Sequence, residues 1–350
     1  MDRGVRHGGA GQSYPDSPED GGGPIDPGDE MIDRASEILR AGGLVALPTE
    51  TVYGLAADAS SPVAVERIFR VKGRPPQHPL IVHVGEVADL PRWARTIPDD
   101  ARRLAEALWP GPLTLVLPRH PSVPDVVTGG LDTVAVRVPS HPVARRILAA
   151  FGGGLAAPSA NRFGRVSPTT AGDVIADLGP AVDLVIDGGA CSIGVESTIV
   201  EVDPEGGHPD GSRVTVLRAG GVSTELLEAT LGFEVTTTGI GPARAPGMLP
   251  SHYAPRTPLE IRTEAEALES VAAHTSSGKK VGLLSLDRMP GCGAEVAWDA
   301  GGDLDLLGRS LYRWLREADA RSLDLLVAIP PPAEGLGSAV RDRLERAAHR

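Results

Sequence analysis

The stretch from Gly43 to Asp58 reads GLVALPTETVYGLAAD and constrains the chain more than any other. Leu44-Val45-Ala46-Leu47 is a short apolar run between Gly43 and Pro48, the pattern of a buried strand. Pro48 has no N–H to donate and ends the ladder. Thr49, Glu50, Thr51 and Tyr53 follow at once, closed by Gly54. Hydroxyls, a carboxylate and a phenol crowded past a strand end read as a polar site on a rigid support. They read equally well as a strand, a Thr-rich turn and a helix start. In open α/β sheets ligands bind beyond the strand ends, so the rest of the chain decides between the two.

The same alternation continues. Met31, Ile32, Ala35, Ile38 and Leu39 fall at helical spacing and stop at Gly42-Gly43. Helices are expected over Pro62–Phe69, Ala101–Leu108, His141–Ala150 and Ser223–Leu231, with another opened by Ser167-Pro168-Thr169 and running to Leu178. Strands are expected at Pro79–Val82, after the Trp109 turn, at Leu155, at Leu184–Asp187, and at Val195–Val202 and Val214–Leu217. In Thr133–Pro139 the alternation puts Val134, Val136 and Val138 on one face and Thr133, Ala135 and Arg137 on the other. Arg137 in such a strand requires an anionic partner if buried, either an internal carboxylate or a ligand.

Candidate anion-binding groups cluster at the ends of these strands. Lys72 and Arg74 flank a glycine in a Pro-rich stretch read as a stiff loop, where an Arg fork and a Lys point charge would clamp phosphate or carboxylate. The spacing is not that of a Walker loop. His83 ends the next strand. Ser159, Asn161, Ser167, Thr169 and Thr170 can donate to an anion, but they are also ordinary turn and cap residues. Arg218 stands at a strand terminus beside glycines, and Glu196 and Ser197 head another strand.

Composition limits the classes open to the chain. Its 350 residues allow one large or two ordinary domains. A net charge of −12 argues against bulk nucleic-acid binding but not against a local basic pocket. Aromatic residues at 3% argue against a base-stacking platform. No apolar run is long enough to span a bilayer and the start has no signal-peptide core, so the expected compartment is the cytoplasm. Cys191 and Cys292 are far apart and fit free thiols. Residues 1–28 read as a disordered tail, 29–235 as the first domain, 236–258 as a linker holding Met248, His252 and Tyr253, and 259–350 as a second, smaller α/β domain. In that second domain helices are expected at Ala265–Ala273 and Leu306–Ala318, and at Ala339–Ala348 after a Gly335-Leu336-Gly337 turn.

Taken in order, PTETVYGLAAD, KGRPPQHPLIVHV, WPGPLTLVL, VRVP, APSANRFGRVSPT, GVESTIV and LRAGG resemble the Sua5/YrdC/YciO family over roughly Asp29 to Phe233. HYAP and the closing LYRWLREADARSLDLL and PPAEGLGSAVRDRLERAA resemble its longer Sua5 branch. The resemblance implies a twisted mixed-sheet α/β domain with a large concave positive cavity, followed by a Rossmann-like α/β domain. It implies synthesis of L-threonylcarbamoyladenylate from L-threonine, bicarbonate and ATP, with release of pyrophosphate. The product would feed a downstream tRNA threonylcarbamoyl transferase complex that modifies adenosine 37 of ANN-decoding tRNAs. Mg²⁺ would accompany the nucleotide, with no metal site made of protein side chains.

On this resemblance Lys72 and Arg74 would bind ATP phosphates and offset charge at the α-phosphate. Thr51, His83, Arg137 and Ser197 would hold threonine, with Arg137 on its carboxylate. His78, Thr133, Ser159, Asn161, Ser167 and Arg218 would face the nucleotide, and Tyr253 would form part of a lid. The sequence departs from the family at His78, where Asn is expected before the proline, and at Leu249-Pro250-Ser251. The competing readings are an RNA-binding or regulatory paralogue without synthase activity, and a carbamoyl-adenylate enzyme for another substrate. The last usually carries acylphosphatase and zinc-finger segments, which this chain lacks.

Overall fold

The computed structural model describes residues 25–203, 213–237 and 253–349. Most of the expected tail, and Met248, His252 and Leu249-Pro250-Ser251, lie outside the described residues. The tail reading extends too far at its end. Ile25 N–H donates to Gly188 O at 3.1 Å, and Arg146 reaches the Asp26 carboxylate at 2.6 Å, so 25–28 pack on the first domain.

The strands of the first domain are β1 (Val45–Leu47), β2 (Gly54–Asp58), β3 (Ile81–His83), β4 (Leu113–Pro118), β5 (Thr133–Arg137), β6 (Leu155–Ala156), β7 (Leu184–Val185), β8 (Thr198–Val202), β9 (Val214–Arg218) and β10 (Thr236–Thr237). They form one mixed sheet in the order β10-β9-β8-β4-β5-β3-β6-β2-β1-β7. β3 and β5 run parallel with His83 opposite Arg137, and β4 runs antiparallel to β5. β4 and β8 are parallel, and β9 returns antiparallel to β8. His83, Arg137, Ser197 and Arg218 therefore gather along one end of the central strands.

The expected alternation on β5 is present. Val134 and Val136 lie in the main core with Leu115, Leu117, Val200 and Val216. Ala135 lies on the opposite face in a separate apolar patch with Ile81, Val116, Ile199 and Leu217. Burying a Val or Leu in such a core is worth about 1.5–3 kcal/mol, which fixes the register of each strand and the face that carries the polar groups.

Two expected elements change. Gly54–Asp58 is strand β2, antiparallel to β1, and not a helix start. Lys72 is not in a loop. The helix Pro62–Lys72 runs through it and ends at Gly73, whose φ of 64° is the left-handed C-cap conformation that glycine adopts without strain. Smaller shifts occur at two starts. The helix to Leu178 begins at Ala171 behind a Thr170 cap, and Leu336 and Gly337 belong to the last helix instead of a turn.

The second domain has β11 (Leu259–Ile261), β12 (Val281–Ser285), β13 (Val296–Asp299) and β14 (Leu325–Ala328), all parallel, in the order β11-β14-β12-β13. Helices Leu304–Ala320 and Leu336–Ala348 pack on each other and meet the first domain. Val52, Val166 and Val195 belong to the same apolar cluster as Leu307, Leu311, Leu315 and Val340. Among the described residues no helix is long and apolar enough to cross a membrane.

Candidate active site

A small cavity of about 50 Å³, smaller than the large one expected, opens beside the strand ends. Of the residues predicted from sequence, Thr51, Arg74, His83, Arg137, Ser159, Ser197, Arg218 and Tyr253 line it. Thr49, Val52, Gly54, Ile81, Ala157, Pro158 and Glu196 complete the lining. Arg74, Arg137 and Arg218 are each buried, and Glu196 is the acidic residue of the wall, so the cavity is positive in a protein whose net charge is −12.

One side is built on β3, β5 and the turn after β1. Arg137 Nη2 lies 2.7 Å from Glu50 Oε1, Nη1 donates to Thr51 Oγ1 at 2.9 Å, and Nε donates to Gly111 O at 3.2 Å. Thr49 and Thr51 share a hydroxyl contact of 2.8 Å, and Thr49 Oγ1 donates to Val52 O. The TET segment is thus a closed turn that aims one carboxylate and one hydroxyl at the arginine. The charge of Arg137 holds the Glu50 carboxyl below its usual range against the cost of burial. Burial, helped by Arg137, pushes the His83 imidazole down to about 3. His83 is therefore neutral at physiological pH, and its Nδ1 has no hydrogen-bond partner in the protein.

The other side is built on β8, β9 and the segments that flank them. Arg218 donates through Nε and Nη2 to Ser197 O at 3.1 and 2.8 Å, and through Nη2 to Ser197 Oγ at 3.1 Å. Ser197 Oγ also meets Thr114 Oγ1 at 2.8 Å. Arg74 uses Nη2 on Pro79 O and leaves Nε without a protein acceptor. Burial and the neighbouring Arg218 charge lower its pKa to about 10, which still leaves it charged at neutral pH. Arg137 and Arg218 end strands three places apart in the sheet, about 14 Å at ordinary strand spacing.

The remaining predicted residues stand behind this wall. Lys72 is 3% exposed, and its ammonium donates to Ser159 O, Asn161 O and Asn161 Oδ1. Burial and the Arg74 charge lower its pKa well below the ordinary lysine value. Asn161 spends its amide on Arg162 O and Arg165 O, while its Oδ1 also accepts from Ser159 Oγ. Together Lys72 and Asn161 staple the loop that presents Ser159. Ser167 is fully buried and donates to Glu196 Oε1 at 2.7 Å. His78 packs edge-on against Phe163 at 5.5 Å, and burial and the Arg74 charge lower its pKa. Thr133 lies at the opposite end of β5 from Arg137.

Tyr253 is 1% exposed and has φ 62°, a conformation uncommon for a non-glycine residue. Its ring stacks on Tyr312 at 5.7 Å and lies under the Arg343 guanidinium at 5.0 Å. The sequence singled out Glu50 and Glu196 at strand ends without assigning either a role in the site, and it gave no signal for Tyr312 and Arg343.

A mixed sheet whose strand ends present buried guanidiniums to a cavity, backed by a second parallel α/β domain, defines an anion-binding α/β protein of the YrdC-like class. The family comparison carries this further. Residues 37–220 match the profile of Sua5, YciO and YrdC, described as "Telomere recombination", and residues 222–349 match one described as "Threonylcarbamoyl-AMP synthase, C-terminal domain". The chain belongs to the Sua5/YrdC/YciO family, in the branch that carries the Sua5 C-terminal domain. It is 40% identical to the threonylcarbamoyl-AMP synthase of Pyrococcus abyssi, over 89% of this chain and 92% of that one. It is 37% identical to that of Bacillus subtilis, over 91% and 93%. The crystal structure of P. abyssi Sua5 complexed with L-threonine matches with a TM-score of 0.83 and 39% identity, covering 91% of this chain and 94% of that chain.

Proposed function

We propose that this chain is a threonylcarbamoyl-AMP synthase, a nucleotidyltransferase that joins L-threonine, bicarbonate and ATP with release of pyrophosphate. Relatives bearing that name align over nearly the whole length of both chains. The observation that carries the reading is the set of buried arginines in one cavity wall, Arg137 on one side and Arg218 and Arg74 on the other. A mixed anhydride between an amino-acid derivative and a nucleotide needs two anions held in one cavity, and this arrangement offers each its own site.

Arg137 takes the threonine carboxylate. Glu50 and Thr51 fix the guanidinium plane in advance, so that less ordering is left to substrate binding. Neutral His83 can accept from the threonine amine or hydroxyl without repelling it. Arg74 and Arg218 receive the phosphates and offset the charge that grows as pyrophosphate leaves. The free Nε of Arg74 supplies a donor for this step. Lys72 acts by holding the Ser159 loop.

Among the described residues no three His, Cys, Asp or Glu side chains converge on a metal position, and Glu50 and Glu196 are each tied to an arginine. Mg²⁺ is assigned to the incoming nucleotide, which matches its habit of retaining water and phosphate ligands. The product would pass to a tRNA threonylcarbamoyl transferase complex in the cytoplasm.

The test is pyrophosphate release from MgATP in bicarbonate buffer with L-threonine, L-serine or no amino acid. Threonine-dependent release is expected. A folded protein that binds ATP yet shows no threonine dependence would instead support a paralogue without synthase activity.

A further inference from the structure

The second domain reaches the cavity through one buried carboxylate. Glu196 stands in the wall just before β8. Its Oε1 accepts from Ser167 Oγ at 2.7 Å, within the first domain. Its Oε2 accepts from Tyr312 Oη at 2.8 Å and from Arg343 Nε at 2.7 Å, both from helices of the second domain. Arg343 is fully buried, although its helix also carries Arg341, Asp342, Glu345 and Arg346. Its Nη2 donates to Ala219 O at 3.0 Å. Ala219 directly follows Arg218. One guanidinium thus spans the entry to β8 and the exit from β9, the two segments that aim Ser197 and Arg218 into the cavity.

Packing around this contact leaves it little freedom. A Cβ on Gly194 would lie 2.5 Å from the Arg309 Cα and the Gly308 O of the Leu304–Ala320 helix. Gly220 is pressed as closely on the 196–198 backbone, with a Cβ there 2.3 Å from Glu196 O. The Arg137 side meets the second domain only through apolar packing, at Val52, and not through a polar contact to the guanidinium. Its partners are Glu50, Thr51 and Gly111, all in the first domain. The two halves of the cavity are organised by separate buried ion pairs, and only one of them crosses between domains.

We propose that Tyr312 and Arg343 are positioning residues for the nucleotide half of the cavity, holding Glu196 and the backbone around Arg218 so that ATP binds, while the polar contacts that set the threonine half come from the first domain. The designation of the Arg218 half as the nucleotide half rests on the function proposed above. A buried charged group that loses a partner is costly. Such a loss moves the backbone that carries Arg218 and leaves the Arg137 turn in place; Ser197, assigned to threonine by the resemblance, bonds Arg218 and Thr114 and is placed by this proposal in the nucleotide half.

The experiment is calorimetric titration of the full chain with L-threonine and, separately, with MgATP, for wild type, Tyr312→Phe and Arg343→Lys, alongside steady-state kinetics. Tyr312→Phe keeps the ring stacked on Tyr253 and removes only the hydroxyl. Arg343→Lys keeps the charge and removes the fork that reaches Ala219. A lost hydrogen bond to a charged group corresponds to about tenfold in affinity. Each variant should therefore bind MgATP about tenfold more weakly and show a raised KM for ATP, with L-threonine affinity within about twofold of wild type. Parallel weakening of both ligands would overturn the proposal in favour of general loosening. So would unchanged ATP binding, or failure of both variants to fold, which would make the contact a requirement of folding and not of positioning. Binding is read without turnover, so a wild-type protein lacking threonine-dependent pyrophosphate release would count against the proposed function and not against this division of the cavity.

Discussion

Arg137 and Glu50 meet at 2.7 Å with both side chains buried, and Thr51 holds the guanidinium from a second direction. A buried pair of this kind adds little net stability, but losing one partner strands the other. Glu50→Gln should lower unfolding free energy by about 3–5 kcal/mol in urea titrations. L-threonine should raise the melting temperature of this variant more than that of wild type, because its carboxylate replaces the lost anion beside Arg137. Equal shifts in the two proteins would place the threonine carboxylate elsewhere.

Lys72 gives a second test. Its three donors are all used on the Ser159–Asn161 loop. Lys72→Met should therefore speed amide exchange across 159–165 as well as reduce pyrophosphate release by a factor of ~100 or more, the scale seen when a positioned group is lost. Lost activity with unchanged exchange would mean that the ammonium acts on substrate directly.

Acid stability carries the signature of His83. The native imidazole is held at about 3 by burial and by Arg137, whereas the unfolded chain protonates near the ordinary value of 6.5. The depressed pKa makes its stabilising effect complete above pH 6.5. The effect is lost progressively as the pH falls towards 3. Glu196, held down to about 2 against burial by the charges of Arg343 and Arg218, adds a second loss below its ordinary 4.5. Urea titrations at pH 5, 6 and 7 should show a slope approaching ~1.4 kcal/mol per pH unit that His83→Gln removes. An unaltered slope in the variant would mean that native His83 titrates normally.

Two glycines separate backbone strain from contact between domains. Gly194 and Gly278 have φ of 80° and 83°, but a Cβ on Gly278 meets nothing within 4 Å. Gly278→Ala should cost about 1 kcal/mol. Gly194→Ala should cost a further ~1–3 kcal/mol, because the new methyl group strikes helix backbone that cannot rotate away. Equal thermal shifts for the two variants would show that the interface yields.

The fold was legible where residues alternate or carry punctuation. TVAVRVP predicted both faces of β5, and Gly42-Gly43 marked the end of the first helix. β2 was not legible, because GLAAD holds no β-branched or aromatic residue and becomes a strand by pairing with β1 and β6. Lys72 was read into a loop because the prolines after it suggested an earlier helix end than Gly73 provides. The site was legible as a set of strand-end cations and hydroxyls, and most of them do reach the cavity. The division between those that face it and those that brace it was not legible, since Lys72 and Ser159 lie 87 positions apart and Glu196 and Arg343 lie 147 apart. No local pattern encodes such meetings.

The alternation along β5 limits how this cavity can change over evolutionary time. Ala135 shares a patch with the cavity residue Ile81 and Arg137 lines the cavity, while Val134 and Val136 on the opposite face belong to the core. A substitution at one position leaves the facing of the others unchanged, although Arg137 can be exchanged only together with its buried partner Glu50. A change in length alters that facing. Adding or deleting one residue in β5 would send Arg137 among Leu115 and Val200 and turn a valine towards the ligand. The lineage is free to vary what these strands say and is barred from varying how long they take to say it.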